Sequence, residues 1–323
     1  MGWNNRIGLL IMAALIGVTP WALPDWYYRL THIGMYAMIC VGLSLLLGYA
    51  GQISLGHAAF FAVGAYTSSL LGVHFGWSPW IAMWAGVALT IIIALGVGFP
   101  SLRLHGHYLA MATLAFGEII HKILNGWVGL TGGPAGLASG PKGMIPAWKI
   151  FNYEISIADD LGMFYFAWGW AFIGLVVALL VIHSRTGRAL RAIHDGEEAA
   201  NVLGVSTSMY KVKVFVLSAV YASIAGSVYA HINGFIDPGA FGVEHSILFI
   251  VIVIVGGMRS VWGAIIGALV MGLLPEFLAE LENWRILIYG AVLLLIVMFI
   301  PQGIFLGVRD LAMWTWRKAV RRA

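Results

Sequence analysis

The sequence predicts an all-α, polytopic integral membrane protein that crosses the bilayer about ten times. Of its 323 residues, 61% are hydrophobic and only 10% are charged, a composition that water-soluble domains of this size do not show. At a rise of about 1.5 Å per residue, an apolar helix of about 20 residues crosses a hydrocarbon core of about 30 Å. Apolar runs that can form such helices lie near residues 7–24, 31–48, 54–72, 79–99, 107–125, 162–183, 210–232, 244–257, 261–279 and 284–300.

The number of spans depends on how the shortest run is interpreted. Residues 244–257 form either a span or a broken or re-entrant segment, so we expect eight to ten spans in one transmembrane domain, residues 1–323. In the next run, small residues at helical spacing predict a closely packed helix face, either within this subunit or across a dimer. These residues are Gly263, Ala264, Gly267, Ala268 and Gly272.

Two hydrophilic segments, residues 126–161 and 184–209, separate the apolar runs and indicate the orientation. With residues 184–209 in the cytoplasm, an even number of spans places both termini there, together with 13 of the 18 Lys and Arg residues, as the positive-inside rule requires. Residues 126–161 are then an outer loop. The net charge of +4 is explained by this orientation, without nucleic acid as a partner.

The C-terminal tail, residues 308–323, combines apolar and basic residues at helical spacing. Its apolar residues include Leu311 and Trp316, and its basic residues include Arg317 and Arg321. We expect such a segment to lie on the anionic inner leaflet of the lipid bilayer.

The inner hydrophilic segment contains a short predicted helix. Asp195 followed by Glu198 is a capping-box pattern for a helix that starts at Gly196, and Gly204 is a left-handed stop. Two turns do not persist alone in water, so the helix needs a surface to pack on. It lies either on this protein's own membrane face or in a partner's groove, and the pattern favours the partner. The residues that offer an apolar face are Ala199, Val202 and Leu203.

Polar residues inside the spans are candidates for a translocation pathway, because a charge at the bilayer centre costs about 2.5–3.5 kcal/mol on insertion scales. Glu118 is the clearest case, although Lys122 one turn later indicates the alternative of a self-neutralising surface pair. His57 lies near Gln52 and Ser54 at the glycine-flanked start of the third run. Such groups either satisfy the backbone of a broken helix at a cavity or form isolated polar contacts.

Four segments carry a resemblance to a known family. Glu198-Ala199-Ala200-x-x-x-Gly204 resembles the EAA loop of ABC importer permeases, and its flanks resemble the LivM-like branch of the branched-chain amino acid permease family. The resemblance covers nearly the whole chain, and the segments occur in the family's order. The matching segments are 42–60, 129–133, 187–192 and 257–267.

The resemblance implies the permease subunit of an ABC importer for branched-chain amino acids or related small carboxylates, in the bacterial inner membrane with residues 126–161 in the periplasm. The implied partners are a homologous LivH-like permease in a heterodimer, two cytoplasmic ATPases that hold ATP and Mg, and a periplasmic substrate-binding protein. No cofactor or metal is implied in this chain. The implied coupling residues are Glu198, Ala199, Ala200, Leu203 and Gly204. The candidate pathway residues are Gln52, Ser54, His57 and Glu118.

The residues themselves favour a transporter that another chain energises. No Gly-Lys dipeptide occurs, so the chain has no Walker A loop, and energy must come from a separate ATPase or from an ion gradient. An ion-coupled secondary transporter is the alternative, but it needs an ionisable pair deep in the membrane, which this chain barely offers. An integral membrane enzyme is less consistent with the sequence, because no cluster of His, Asp and a nucleophile is apparent.

Overall fold

The computed structural model is built almost entirely from helices. It describes residues 3–101, 106–138, 148–150, 153–155, 160–277, 285–299, 303–305 and 307. The first helices are α1 (Trp3–Ala22), α2 (Tyr27–Ser44, extended by a π-helical turn at Leu45–Tyr49), α3 (His57–Phe75), α4 (Pro79–Ser101), α5 (His107–Gly126) and α6 (Val128–Thr131). They are followed by α7 (Asp160–His183), α8 (Arg185–Asp195), α9 (Glu197–Val202), α10 (Thr207–Asn233), α11 (Val243–Gly256), α12 (Val261–Phe277) and α13 (Arg285–Phe299).

Short turns and strands complete the described chain. Three 3₁₀ turns occupy Pro24–Trp26, Gly133–Ala135 and Pro238–Phe241. Strand β1 (Leu137–Ala138) pairs antiparallel with β4 (Phe235–Ile236), and β2 (Trp148–Ile150) pairs antiparallel with β3 (Tyr153–Ile155). The all-α prediction therefore holds apart from these two short ribbons. The predicted basic tail, residues 308–323, and much of the predicted outer loop, residues 126–161, lie outside the described residues.

Every predicted apolar run contains a helix, but the predicted count of spans is not confirmed. Among the described residues, six helices are long and apolar enough to cross a membrane, namely α1, α2 with its π-helical turn, α3, α4, α7 and α10. Helices α11 and α12 bend by 115° at their junction and add a seventh span if they count as one. The expectation that 244–257 is broken or re-entrant agrees with this bend. Helix α5 carries Glu118 and Lys122, and the described α13 has only 15 residues.

Helix α2 forms the centre of the bundle. Beyond its first two turns, which carry Arg29 and His32, it is apolar and buried along most of its length, in contact with α7, α10, α11 and α12. Helix α1 is also apolar on all sides, yet Leu10 and Trp21 are 72% and 81% exposed. A helix that is hydrophobic all round is stable only in a protein core or in lipid. The described α1 therefore presents a surface suited to the bilayer.

Small residues let the central helices approach closely. Gly64 of α3 lies against the Ser223 carbonyl of α10, and Gly226 of α10 lies against the Phe61 carbonyl of α3. A Cβ atom added at Gly64 would lie 2.0 Å from the Ser223 oxygen, and one at Gly226 would lie 1.9 Å from the Phe61 oxygen. Each helix thus fits directly onto the other's backbone, a contact that small residues permit in membrane helices.

The glycine face predicted on α12 packs within this subunit. A Cβ atom added at Gly263 would lie 2.6 Å from the Gly256 oxygen, and one at Gly267 would lie 2.2 Å from the Ile252 oxygen, both in α11. Gly272 lies against Ile33 of α2. Of the two alternatives, this face therefore serves to fold the α11–α12 pair onto the core.

Three separate parts of the chain meet at one end of the bundle, which we call the α8–α9 end. The Asn5 amide lies 3.3 Å from the His183 ring at the end of α7, and the Trp262 indole donates to Asn5 over 3.4 Å. The Arg259 side chain, in the α11–α12 bend, lies 3.6 Å from the Asp195 carboxylate. The start of α1, the α8–α9 segment and the α11–α12 bend therefore share one end.

Candidate functional site

Helix α8 holds the hydrophilic segment against the end of the bundle. The Ser184 hydroxyl caps its first turn by accepting from the Thr186 N–H over 3.1 Å. The helix is amphipathic, with Leu190 and Ile193 buried on one face. At the corner after α7, Gly187 lies so close to the Ile182 carbonyl that a Cβ atom would approach within 2.2 Å of its oxygen. These contacts give α9 a fixed support.

Helix α9 ends as the sequence predicts but does not start so. Gly204 has a φ of +83°, and its N–H donates to the Asn201 oxygen over 3.0 Å, which confirms the left-handed stop. The predicted capping box is wrong, because Asp195 is the last residue of α8 and its side chain faces Arg259. Gly196 occupies the N-cap position of α9 without a side-chain hydrogen bond.

The two sides of α9 differ sharply in exposure. Val202 and Leu203 are 88% and 82% exposed, although both are large aliphatic side chains. Ala200 is only 2% exposed and lies against the protein itself. We call the exposed side the α9 tip, which comprises Glu198, Ala199, Val202 and Leu203.

One predicted coupling residue is therefore placed differently from the others. Ala200 was grouped with Glu198, Ala199, Leu203 and Gly204 as a contact for a partner, but its side chain is turned inward. Its carbonyl accepts from the Val205 N–H over 3.0 Å and holds the turn that follows α9. Successive residues of a helix point in directions about 100° apart, so neighbouring alanines can have opposite environments.

A buried ion pair ties the first residue of α9 to α10. The Lys211 ammonium group contacts the Glu197 carboxylate, and the Lys211 side chain is only 5% exposed. Removing the Glu197 carboxylate would leave the buried Lys211 charge without this partner, which is destabilising. Lys211 is the second residue of the apolar run 210–232, and a lysine at the start of such a run is the sequence signal for this pair.

His57 is part of a closed hydrogen-bond chain in the core. Its two ring nitrogens lie 3.1 Å from the Ser54 hydroxyl and 2.7 Å from the Ser218 hydroxyl of α10, and the residue is fully buried. Neighbouring hydroxyl groups also satisfy the backbone at the break before α3, because the Leu55 N–H donates to Thr113 over 3.0 Å. The geometry at His57 and Ser54 favours polar contacts within the subunit, the alternative to a pathway.

Gln52 has a different environment from His57. It is 5% exposed, and its backbone N–H donates to the Leu46 oxygen over 3.1 Å. Among the described residues, neither atom of its side-chain amide has a hydrogen-bond partner. Gln52 is one of the residues that line a cavity beside the α8–α9 segment. The residues at the α2–α3 break therefore divide into a satisfied pair, Ser54 and His57, and an unsatisfied one, Gln52.

Glu118 lies on an exposed face of α5. Its carboxylate is 3.6 Å from the Lys122 ammonium group, and the two side chains are 44% and 75% exposed. The surface pair given as the alternative is therefore present. The large apolar residues that α5 also exposes are Tyr108, Met111, Leu114, Ile119 and Ile123. A face that mixes an ion pair with apolar side chains suits a protein interface better than lipid. Whether Glu118 contacts a substrate stays a prediction.

The described residues contain no group of three or more His, Cys, Asp or Glu side chains that could hold a metal ion. The candidate features at this end of the bundle are the α9 tip, the Glu197–Lys211 pair and the Gln52 amide, which has no hydrogen-bond partner among the described residues. Their chemistry is that of docking and of noncovalent binding.

Comparisons with known proteins give a consistent family. The family model described as "Branched-chain amino acid transport system / permease component" matches residues 27–298. The high-affinity branched-chain amino acid transport system permease protein LivM of Salmonella typhimurium is 30% identical, over 92% of this chain and 74% of the relative. LivM of Escherichia coli is 30% identical over 84% and 67%, and LivH of Escherichia coli is 26% identical over 83% and 90%. No solved structure is significantly similar.

Proposed function

The chain belongs to the branched-chain amino acid permease family and is a permease subunit of an ABC importer, and we propose that its α9 tip docks a separate ATPase. The exposure of Val202 and Leu203 carries this proposal. Burying an aliphatic side chain of this size is favourable by about 1.5–3 kcal/mol. Two such side chains on a supported helix, in an otherwise charged segment, provide the apolar centre of an interface with a polar rim.

The charges at the α8–α9 end support an inner orientation for it. Arg185, Arg188 and Arg191 belong to α8, and Arg259 and Arg6 come to the same end through the contacts of the α11–α12 bend and of α1. Basic residues gather on the cytoplasmic side of bacterial membranes. We therefore propose that α9 and the N-terminus lie in the cytoplasm, and the predicted even number of spans puts the C-terminus on the same side.

A homologous permease is proposed to cover the exposed face of α5. The similarity to both LivM and LivH supports a heterodimer with a LivH-like subunit. In that assembly the Glu118–Lys122 pair would lie at the interface between the two permeases, where a zwitterionic substrate could pass. Two cytoplasmic ATPases, which bind ATP and Mg, and a periplasmic substrate-binding protein would complete the importer. The names of the relatives support branched-chain amino acids as the cargo.

Uptake by the reconstituted complex tests the energy source. We expect vesicles that contain the complex and internal ATP, with loaded binding protein added outside, to accumulate labelled leucine. We expect this uptake to continue after a protonophore collapses the proton gradient. The physical reason is that the chain has no Walker A loop of its own and presents a docking tip for an ATPase. Uptake that continues without ATP but stops with the protonophore would instead support the ion-coupled secondary transporter.

Glu118→Gln is expected to lower the maximal uptake rate about tenfold while the complex still assembles. The change removes one charge and keeps the shape, and a loss of about 1.4 kcal/mol in the rate-limiting state corresponds to that factor. The matched control is Glu276→Gln, which removes a carboxylate paired with Arg29 away from α5. Uptake kinetics equal to those of the unmodified complex would leave Glu118 with only its surface pair.

A further inference from the structure

A small cavity lies behind the α9 tip, inside this subunit. Its volume is about 160 Å³, and it is bounded by the α2–α3 break, the start of α5, the end of α8 and the start of α10. The polar residues that line it are Gln52, His194, Glu197 and Lys211, and its apolar lining includes Leu109 and Ile193. At about 30 Å³ per water, this space equals about five water molecules, the size of a small amino acid.

Two polar side chains that line the cavity, Gln52 and His194, have buried atoms without hydrogen-bond partners among the described residues. The Gln52 side chain is buried, and among the described residues its amide oxygen and nitrogen both lack hydrogen-bond partners. The His194 Nδ1 atom also lacks one, and a Cβ atom added at Gly51 would lie 2.9 Å from it. Buried polar atoms are nearly always paired in native proteins, so two unsatisfied side chains on one cavity indicate a site for a polar molecule.

The charges specify what kind of polar molecule fits. Lys211 and Glu197 supply one positive and one negative group that contact each other, so the cavity carries little net charge and does not select a simple anion or cation. A molecule with both an ammonium group and a carboxylate can give each of these residues an opposite charge. The Gln52 amide can donate to the carboxylate and accept from the ammonium group.

We propose that this cavity binds a small free α-amino acid from the cytoplasm, as a regulatory site distinct from the α5 face. The proposal rests on the proposed function for the location of this end and for the cargo. The carboxylate of the ligand would contact Lys211, its ammonium group would contact Glu197, and its side chain would lie against Leu109 and Ile193.

Binding at this site would act on the docking helix. Glu197 is the first residue of α9, and its contact with Lys211 joins α9 to α10. A ligand inserted between the two charges replaces that contact and changes how the α9 tip is held. Imported amino acid that accumulates inside the cell would thereby slow further import, because the ATPases act through the same helix.

Equilibrium binding to the complete permease–ATPase complex, purified without its binding protein, tests the site. The probe is radiolabelled L-leucine, with 4-methylpentanoate and isopentylamine as competitors that each carry only one of the two charged groups. We expect saturable leucine binding that neither competitor displaces at tenfold excess. We also expect Gln52→Leu to weaken binding at least tenfold.

Two further variants separate the site from a general loss of structure. The double change Glu197→Gln with Lys211→Met removes both charges together, avoids an unpaired buried charge, and is expected to abolish leucine binding. Thr90→Val removes a buried polar group in α4 that also has no hydrogen-bond partner among the described residues. Thr90 does not line the cavity, so this variant is expected to bind leucine normally. Thermal unfolding of each complex checks that it is folded.

The opposite results overturn the proposal. Absence of leucine binding, displacement by either single-charge competitor, or normal binding by a folded Gln52→Leu complex would each show that the cavity is no amino acid site. The proposed function is judged separately, from ATP-dependent uptake by vesicles. Uptake driven by ATP together with absent cavity binding would refute this inference alone.

Discussion

Replacing Val202 and Leu203 together with serine is expected to abolish retention of the ATPase subunits while the chain still inserts into the membrane. The two side chains are 88% and 82% exposed, so their loss removes almost no contact within the subunit. Surface changes of this kind usually alter folding free energy by less than about 0.5 kcal/mol. In a docked complex the same change removes about 3–6 kcal/mol of apolar burial, which corresponds to a loss of more than about a hundredfold in affinity.

The ratio of ATPase to permease after purification measures this effect. The control is Asn201→Asp, which adds a charge to an exposed neighbour on the same helix and keeps both apolar side chains. We expect the control to retain its ATPases, since a rim charge changes association rates more than the stability of the complex. Wild-type ATPase content in the double serine variant would show that the α9 tip is not the docking surface.

Ala200→Arg tests a different property from the one that the sequence suggested. With Ala200 facing a partner, an arginine would separate membrane insertion from ATPase binding. Because Ala200 is 2% exposed, the arginine must instead displace α9 from its support or bury a charge. We therefore expect lower yield and lower thermal stability of the chain itself. A stable Ala200→Arg chain that loses only its ATPases would return Ala200 to the docking surface.

The sequence predicted the helices well because a helix that crosses a bilayer needs a long run of apolar residues, which is visible in the sequence. Each apolar run contains a helix, and α9 stops before Gly204, as predicted. Both features depend on residues that are close together in the chain. The number of spans was not predictable in the same way. The bend between α11 and α12 arises where Gly256 and Gly263 meet across the hairpin, a contact that length and hydropathy do not report.

The candidate site was only partly predictable for a related reason. The local pattern at Asp195 fits a capping box, but Leu190 and Ile193 pack α8 onto the bundle and extend that helix to Asp195 itself. One of the two partners of His57 is Ser218, which lies 161 positions away in the sequence. Hydrogen bonds between residues far apart in the sequence determine which polar side chains have partners. They therefore also determine that His57 is paired, whereas Gln52 lines a cavity.

Gly226→Ala is expected to destabilise the whole transmembrane domain, because it separates α3 and α10, which cross closely in the core of the bundle. The new Cβ atom would lie 1.9 Å from the Phe61 oxygen, where an ordinary contact is at least 3.4 Å. The atoms nearest to the new Cβ atom all belong to the α3 backbone, so no flexible side chain can move aside to make room for it. Overpacking of this kind costs about 1–3 kcal/mol and sometimes more.

Moving α10 away from α3 would also break contacts beyond the glycine. The Ser227 hydroxyl donates to the Gly64 oxygen over 3.1 Å, and Ser68 lies 2.8 Å from His231 along the same helix pair. Since α10 also carries Lys211, its displacement would disturb the contact that holds α9. Thermal unfolding in detergent measures the effect, with Gly72→Ala in α3 as control, because a Cβ atom there meets nothing within 4 Å. Equal stability of the Gly226→Ala and Gly72→Ala proteins would contradict so close a crossing of α3 and α10.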